Sequence, residues 1–369
     1  MYGEKIMNKP IRVILVAPFP PPYGGIANWS LLLKKYHSNH LNEFDLEVIN
    51  TATNKRITEG RTLFNRVFIS GFKMIKLLLD MFKTIRKFKP TVVHITTSGS
   101  LGLIRDYFFT KIAKSYKISV VTHIRYGRIP ELSLKNNWEW KLLIRVLNNS
   151  NKVICLDALT YSTLKKIYED NKIFKILNPI DLEEIDKLNQ KINEKEKTIL
   201  FIGWCIKSKG VEELILSWKK ISNKYKNWKL KILGPYKKEY LNFLKSLYDS
   251  EFIEFLGEKS HKDTLEELKK SSIFILPSYT EGCPNVILEA MSLGKPIIST
   301  DVGAIKEMLE EESGIIVSPK NIEELREAIE LLLQDEDLCY KMGKNALIRV
   351  RENYALDVVM KQYQILWRS

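Results

Sequence analysis

Apolar residues along this chain fall into two alternating rhythms. Short continuous runs at 11–17, 45–49, 91–95, 118–121 and 152–155 read as buried strands, with a shorter one at 174–177. Between them lie longer stretches whose apolar residues recur every three to four positions, at 26–37, 63–88, 101–116, 138–147 and on to about 168, and these read as helices. After residue 198 the rhythm resumes. Strands are predicted at 198–203, 228–233, 252–256, 273–276 and 296–300, helices at 211–225, 240–248 and after His261, and a helical tail follows at 321–333, 338–353 and 354–367. This alternation predicts an α/β protein built on parallel, doubly wound sheets with helices on both faces. Between 181 and 197 the pattern breaks into a charged stretch with few apolar anchors, which reads as a linker between a domain at 1–180 and another at 198–353. A chain of 369 residues suits two domains. The two halves share an architecture but no detectable sequence repeat.

The densest chemistry lies at 273–307, IFILPSYTEGCPNVILEAMSLGKPIISTDVGAIKE. A strand feeds a loop that opens a helix, with Pro284 expected at the first helical position and Gly294 and Pro296 ending it. The first-turn amides of such a helix, those of Asn285 to Ile287, point beyond the sheet, where the helix dipole favours negative charge. Glu281 and Glu289 would flank that point with acceptor oxygens suited to sugar hydroxyls. Phosphate and sugar together are the ligand these groups imply. The alternative is an ordinary strand, loop and helix with solvated glutamates.

Two glutamates eight residues apart occur by chance in many helices. Embedded in PSYTEGCPNVILEAMSLGKPIISTDVGA, however, Glu281-x7-Glu289 resembles the motif of the retaining glycosyltransferases of family four. The resemblance implies the GT-B fold, two Rossmann-like domains facing a central cleft, with the last helix (354–369) packing back on the first domain. It also implies that Glu281 contacts the transferred sugar and Glu289 the nucleotide ribose. The diphosphate would lie against the backbone from Gly282 through Cys283, Pro284, Asn285 and Val286. Gly24 and Gly25, after the proline-rich end of the first strand, match a Gly-Gly pair facing the donor diphosphate, although a plain Pro/Gly turn is the simpler reading. His123 matches a histidine that reaches the sugar, and is preferred over His94. Both histidines and Gly24 are expected beyond the carboxyl ends of strands. A capped, hydrogen-bonded histidine is the other reading of His123. Arg125 and Arg128 beside it are candidates for an anionic acceptor, or ordinary surface charge.

In Gly203-Trp204-Cys205-Ile206-Lys207-Ser208-Lys209-Gly210, Lys209 and Gly210 match the family's diphosphate-gripping loop, whereas Trp204 stands where arginine is usual. Lys207 is the candidate to supply the missing cation. The implied catalytic set is therefore His123, Glu281 and Lys209, with no cofactor and no metal, the nucleotide sugar being a substrate. Asp335-Glu336-Asp337 spells a D-x-D metal motif, but it falls between two helices and reads as a helix cap.

Charge adds a partner. The net charge is +14, but residues 1–180 hold 29 Lys and Arg against 12 Asp and Glu, while 181–369 hold 29 against 32. A lysine-rich composition alone would act on both halves, so the basic first half is expected to face an anionic surface. Within 61–89, Arg61, Arg66, Lys73, Lys76, Lys83, Arg86, Lys87 and Lys89 stand against Asp80, interleaved with Phe64, Phe68, Phe72, Leu77, Met81, Phe82 and Phe88. This reads either as a helix lying on an anionic membrane, with a lipid-linked hydroxyl acceptor, or as a sheet-packing helix with solvated lysines. No zinc-finger, ribonucleoprotein or basic-zipper pattern favours nucleic acid. No apolar run spans a bilayer, and the first run reads as a strand rather than a leader. Cys155, Cys205, Cys283 and Cys339 lack metal spacing and read as reduced thiols of a cytoplasmic protein, peripheral on the inner membrane face. An epimerase or phosphorylase of the same fold remains an alternative to transfer.

Overall fold

The computed structural model describes residues 11–21, 24–52, 63–189 and 196–369, with side chains described from residue 73 onward in the helix Leu63–Phe88. Pro22, Tyr23 and Arg61, and the side chains of Phe64, Arg66, Phe68 and Phe72, lie outside the described residues. The chain divides into two compact units, Met1–Pro179 with Val359–Ser369, and Ile180–Val358.

In the first unit, β1 (Ile11–Ala17), β2 (Phe44–Asn50), β3 (Val92–Thr97), β4 (Ser119–Ile124), β5 (Lys152–Cys155) and β6 (Ile173–Lys175) form one sheet in the order β2-β1-β3-β4-β5-β6. Every pairing is parallel. Burial on both faces explains why β1, β3, β4 and β5 read as continuous apolar runs rather than alternating ones. Helix Leu63–Phe88 turns Met81 and Ile85, four residues apart, onto the sheet beside Val93 and Ile95. Its opposite side presents Ile75, Leu79 and Phe82 to solvent. The C-terminal helix Leu356–Arg368 buries Val359, Met360, Tyr363, Leu366 and Trp367. From Val359 onward it belongs to the first unit, where Trp29 Nε1 donates to Tyr363 Oη at 3.2 Å.

The second unit repeats the plan with β7 (Thr198–Ile202), β8 (Lys229–Leu233), β9 (Ile253–Gly257), β10 (Ile273–Leu276), β11 (Ile297–Thr300) and β12 (Ile315–Val317), ordered β12-β11-β10-β7-β8-β9. All of its pairings are parallel too. Each sheet reverses its strand order once, between β1 and β3 and between β7 and β10. Beyond the carboxyl ends of those strand pairs the following loops diverge and leave a crevice, the place where open α/β sheets bind ligands.

The structure corrects three expectations. The stretch 181–197 is not simply a linker: helix Leu182–Asn189 opens the second unit, burying Ile185 and Leu188, and Lys269 Nζ bonds the Leu188 carbonyl at 2.8 Å. Apolar residues recurring every three positions, Leu182, Ile185 and Leu188, suffice to seat a helix whose remaining positions are polar or charged. Pro284 is the N-cap rather than the first residue of helix Asn285–Ser292. His94 lies within β3 and His123 within β4, both fully buried, rather than beyond the strand ends.

Candidate active site

In the second unit the loops after β7 and β10 meet at the strand-order reversal. Gly210 has φ +68°, and a Cβ there would sit 2.0 Å from the Pro277 carbonyl oxygen, so only glycine permits this approach. Tyr279 N–H donates to the Ser208 carbonyl at 2.8 Å and fastens the loops together. The result is that Lys209 Nζ stands 2.5 Å from Glu281 Oε1, although 72 residues separate them. Ser278 Oγ donates to the same oxygen at 2.7 Å. With the Glu281 side chain 11% exposed and that of Lys209 23%, the pair is sheltered but reachable. An ammonium has three N–H donors, so Lys209 can hold Glu281 and still offer protons to an anion.

Helix Asn285–Ser292 starts directly after this pair. Ile287 N–H in its first turn donates to the Pro284 carbonyl at 3.2 Å, and the helix dipole makes this N-terminus suited to negative charge. Gly303 (φ +59°) closes the loop from behind, where a Cβ would meet the Gly282 oxygen at 2.3 Å, and Ala304 N–H donates to that oxygen at 2.8 Å. Cys283 turns its side chain inward, Sγ lying 3.9 Å from Met308 Sδ, so only its backbone belongs to the loop surface. Glu289 accepts from His261 Nε2 at 3.1 Å. That hydrogen bond raises the His261 pKa above the ordinary histidine value, against the opposing effect of burial. Lys207 is exposed, its Nζ 3.9 Å from Glu212, and the Trp204 side chain is half exposed in the same loop.

The first unit offers a different assembly. Gly24 and Gly25 are exposed at the start of helix Gly25–Asn39, and an added Cβ at either would meet nothing within 4 Å. The chain's own packing does not demand glycine at these positions. His123 is sealed among Trp29, His94 and Tyr363, with ring centroids 5.1, 5.4 and 5.9 Å away, so direct contact with a sugar is closed to it in this conformation. Burial, with the Arg125 charge adding to it, holds the pKa of His94 down to about 3. The same causes hold His123 well below the ordinary value. Arg125 is the partly exposed group above them, its guanidinium 4.9 Å from the Trp29 ring centre and its Nη1 3.3 Å from His123 Nε2. Arg128 is taken up instead by Glu139, with Nη2 to Oε1 at 2.6 Å, and by Ser100 Oγ at 2.8 Å.

The sequence reading did not single out Ser278, His261 or the Trp29–Tyr363–Trp367 cluster. Ser278 stood inside the motif and could have been found there. His261 is joined to Glu289, and Trp367 to His94, only by folding. Asp335 does cap helix Glu336–Asn353, accepting from Leu338 N–H at 2.8 Å.

Sequence comparison supplies the class. Residues 11–184 match the family model "Glycosyltransferase Family 4" and residues 183–349 match "Glycosyl transferases group 1". An uncharacterised glycosyltransferase of Methanocaldococcus jannaschii is 30% identical over 292 residues, covering 77% of this chain and 78% of that protein. The capsular polysaccharide biosynthesis glycosyltransferase CapM of Staphylococcus aureus is 27% identical over 330 residues, 82% of each chain. Among solved structures, Anabaena HepE in complex with UDP superposes with a TM-score of 0.70 at 16% identity, covering 96% of this chain and 99% of that one. The two parallel six-stranded sheets are those of the two-domain GT-B fold. The chain belongs to the group 1 and family 4 glycosyltransferases.

Proposed function

We propose that this protein is a retaining, metal-independent hexosyltransferase. It moves a sugar from a nucleotide-diphosphate sugar to a hydroxyl of a lipid-linked saccharide during synthesis of bacterial cell-surface polysaccharide, lipopolysaccharide or glycolipid. The observation that carries this reading is the Lys209–Glu281–Ser278 cluster at the β7/β10 reversal, directly before the N-terminus of helix Asn285–Ser292. The likeness to CapM, a capsular polysaccharide biosynthesis glycosyltransferase, supports the polysaccharide context, and the UDP complex of HepE supports a nucleotide donor.

In this reading the bond between the sugar and the diphosphate breaks with its electron pair on the diphosphate. Lys209 and the amides after Pro284 are already aimed at the charge that grows there. The acceptor oxygen attacks from the same face, and its proton passes to a departing diphosphate oxygen. Glu281 orients the sugar, and Glu289, shared with His261, takes the ribose hydroxyls. Gly24 and Gly25 let the diphosphate approach their backbone, and Lys207 gives outer, weaker assistance. In the first unit Arg125, with His123 beneath it, faces an anionic acceptor.

The membrane assignment rests on helix Leu63–Phe88. Its inner stripe is core, while the exposed Ile75, Leu79 and Phe82, with Arg86 among them, lie beside a side bearing Lys73, Lys76, Lys83 and Lys87. An apolar stripe edged with cations fits the interface of an anionic bilayer, each cation contributing about 1 kcal/mol near the surface. Among the described residues no helix is long and apolar enough to cross a membrane. The protein would thus attach peripherally, from the cytoplasmic side. A thermal-shift screen over nucleoside diphosphate sugars tests the donor, since a ligand that binds only the folded state raises its stability. Transfer assays with and without EDTA test the chemistry. No stabilisation by any nucleotide sugar, or activity lost to EDTA and restored by Mg²⁺, would remove this reading or its metal-free part.

A further inference from the structure

An indole N–H can only donate a hydrogen bond. Trp367 Nε1 lies 3.1 Å from His94 Nδ1, so this Nδ1 accepts, and a neutral His94 carries its proton on Nε2. That Nε2 lies 3.3 Å from His123 Nδ1, which must accept in turn, so the His123 proton is also on Nε2. A doubly protonated His94 is ruled out by the same count, because its Nδ1–H would face the indole N–H. Full burial of both rings beside the Arg125 charge keeps them neutral. Counted from Arg125, whose Nη1 would donate to His123 Nε2, the order is the reverse, so one of the two ends must yield. The buried Trp367 indole cannot turn to water whereas the partly exposed Arg125 can, which favours the order running from the C-terminal helix inward. At the far end His123 Nε2 stands 3.3 Å from Arg125 Nη1, and guanidinium nitrogens only donate. Two donors therefore converge on one place, one of them cationic and lying along the Trp29 ring.

We propose that Trp367 and His94 are positioning residues that lock His123 as an Nε2–H donor, and that His123 and Arg125 together form a two-donor site for a phosphate oxygen. Because His123 is fully covered, the site opens when the Arg125 guanidinium slides outward along Trp29 and the oxygen takes a hydrogen bond from each. Assignment of that phosphate to a transferase substrate rests on the reading above, whereas the proton order does not.

Nitrogen-15 spectra of the full chain labelled at histidine read the proton positions directly. In the wild type, His94 and His123 are both expected with a protonated Nε2 and a bare Nδ1. Trp367→Phe keeps an aromatic ring but removes the N–H, and is expected to turn both histidines into tautomer mixtures. Should that variant fail to fold, His94→Gln takes its place. Its side-chain amide can still donate to His123 Nδ1, so His123 should stay protonated on Nε2. Inorganic pyrophosphate is expected to shift the His123 Nε2 signal in the wild type and not in Arg125→Ala. A His123 protonated on Nδ1, tautomers indifferent to Trp367→Phe, His123 losing its Nε2 proton in His94→Gln, or no pyrophosphate response at His123 would each overturn the proposal. A chain with the expected tautomers and pyrophosphate response but no sugar transfer would instead overturn the transferase reading and leave this site standing.

Discussion

The two units share a six-stranded parallel plan but build their chemistry in opposite ways. In the second, Lys209, Ser278 and Glu281 come from loops on neighbouring strands and touch each other near the surface. In the first, two neutral histidines lie beneath Trp29, Tyr363 and Trp367, and a single arginine is the partly exposed member. One assembly offers preformed charge. The other offers hydrogen-bond direction set by packing. A leaving diphosphate needs the first kind, because preorganised charge stabilises a transition state without reorganising. Aiming one donor at one oxygen needs the second, because a buried ring cannot wander from its tautomer or its plane.

The largest effects should separate these two roles. Lys209→Ala should lower kcat about 10²- to 10³-fold, as loss of other preorganised charge donors does. Glu281→Ala should be similarly damaging to transfer while a nucleoside diphosphate still binds, and Glu289→Ala should weaken nucleotide binding itself. Steady-state kinetics beside calorimetric titration checks this, and near-native kinetics for both glutamate variants would undo the site assignment.

A stability effect comes next. Trp29→Ala removes a side chain 2% exposed at the centre of the first cluster and should cost about 3–5 kcal/mol in denaturant unfolding. A loss under 1 kcal/mol would mean that the cluster is not the anchor described.

The histidines give the comparison a sign. His94 and His123 have folded pKa values below the ordinary 6.5, so the unfolded chain binds protons that the folded chain refuses. Stability should therefore fall as pH drops below about 6.5, by up to about 1.4 kcal/mol per pH unit for each ring. His261 is raised instead, so its contribution is full below the ordinary value and is lost as pH rises through the raised one. Unfolding curves of wild type, His94→Gln and His261→Ala between pH 5 and 8 should move in these opposite directions, the exposed His261 giving the smaller change. Parallel pH profiles for the two variants would break the contrast.

The smallest predicted effect concerns the membrane stripe. Changing Lys73, Lys76 and Lys83 to glutamate should reduce co-sedimentation with anionic vesicles and leave transfer to a soluble acceptor intact. Wild-type protein that stays in solution with anionic vesicles at low salt would remove the membrane assignment.

What could be read in advance followed the same division. The strands were legible because parallel strands buried on both faces make unbroken apolar runs; Glu281 was legible from its place before a predicted helix N-terminus, and Lys209 and Gly210 only through the family resemblance. The helix Leu182–Asn189 was missed because three apolar residues in a short charged stretch give little periodic signal. His94 and His123 were misplaced beyond strand ends because a histidine inside a strand carries no pattern of its own. Their burial depends on Tyr363 and Trp367, more than 230 residues downstream, and no local window contains that fact. Trp204 stands where the family usually has arginine, and the structure leaves it half exposed. For Cys283, the motif identified a loop whose backbone matters and could not say that the thiol turns inward.

The central claim is that the charge holding the donor diphosphate comes from Lys209 of the second unit, at the β7/β10 reversal, and not from Arg125 of the basic first unit. Calorimetric titration of wild type, Lys209→Ala and Arg125→Ala with a panel of nucleoside diphosphates tests it most directly. At least one nucleotide should bind the wild type, with Kd raised tenfold or more in Lys209→Ala and little changed in Arg125→Ala. Absence of binding by every nucleotide, or an equal loss in both variants, would contradict the account.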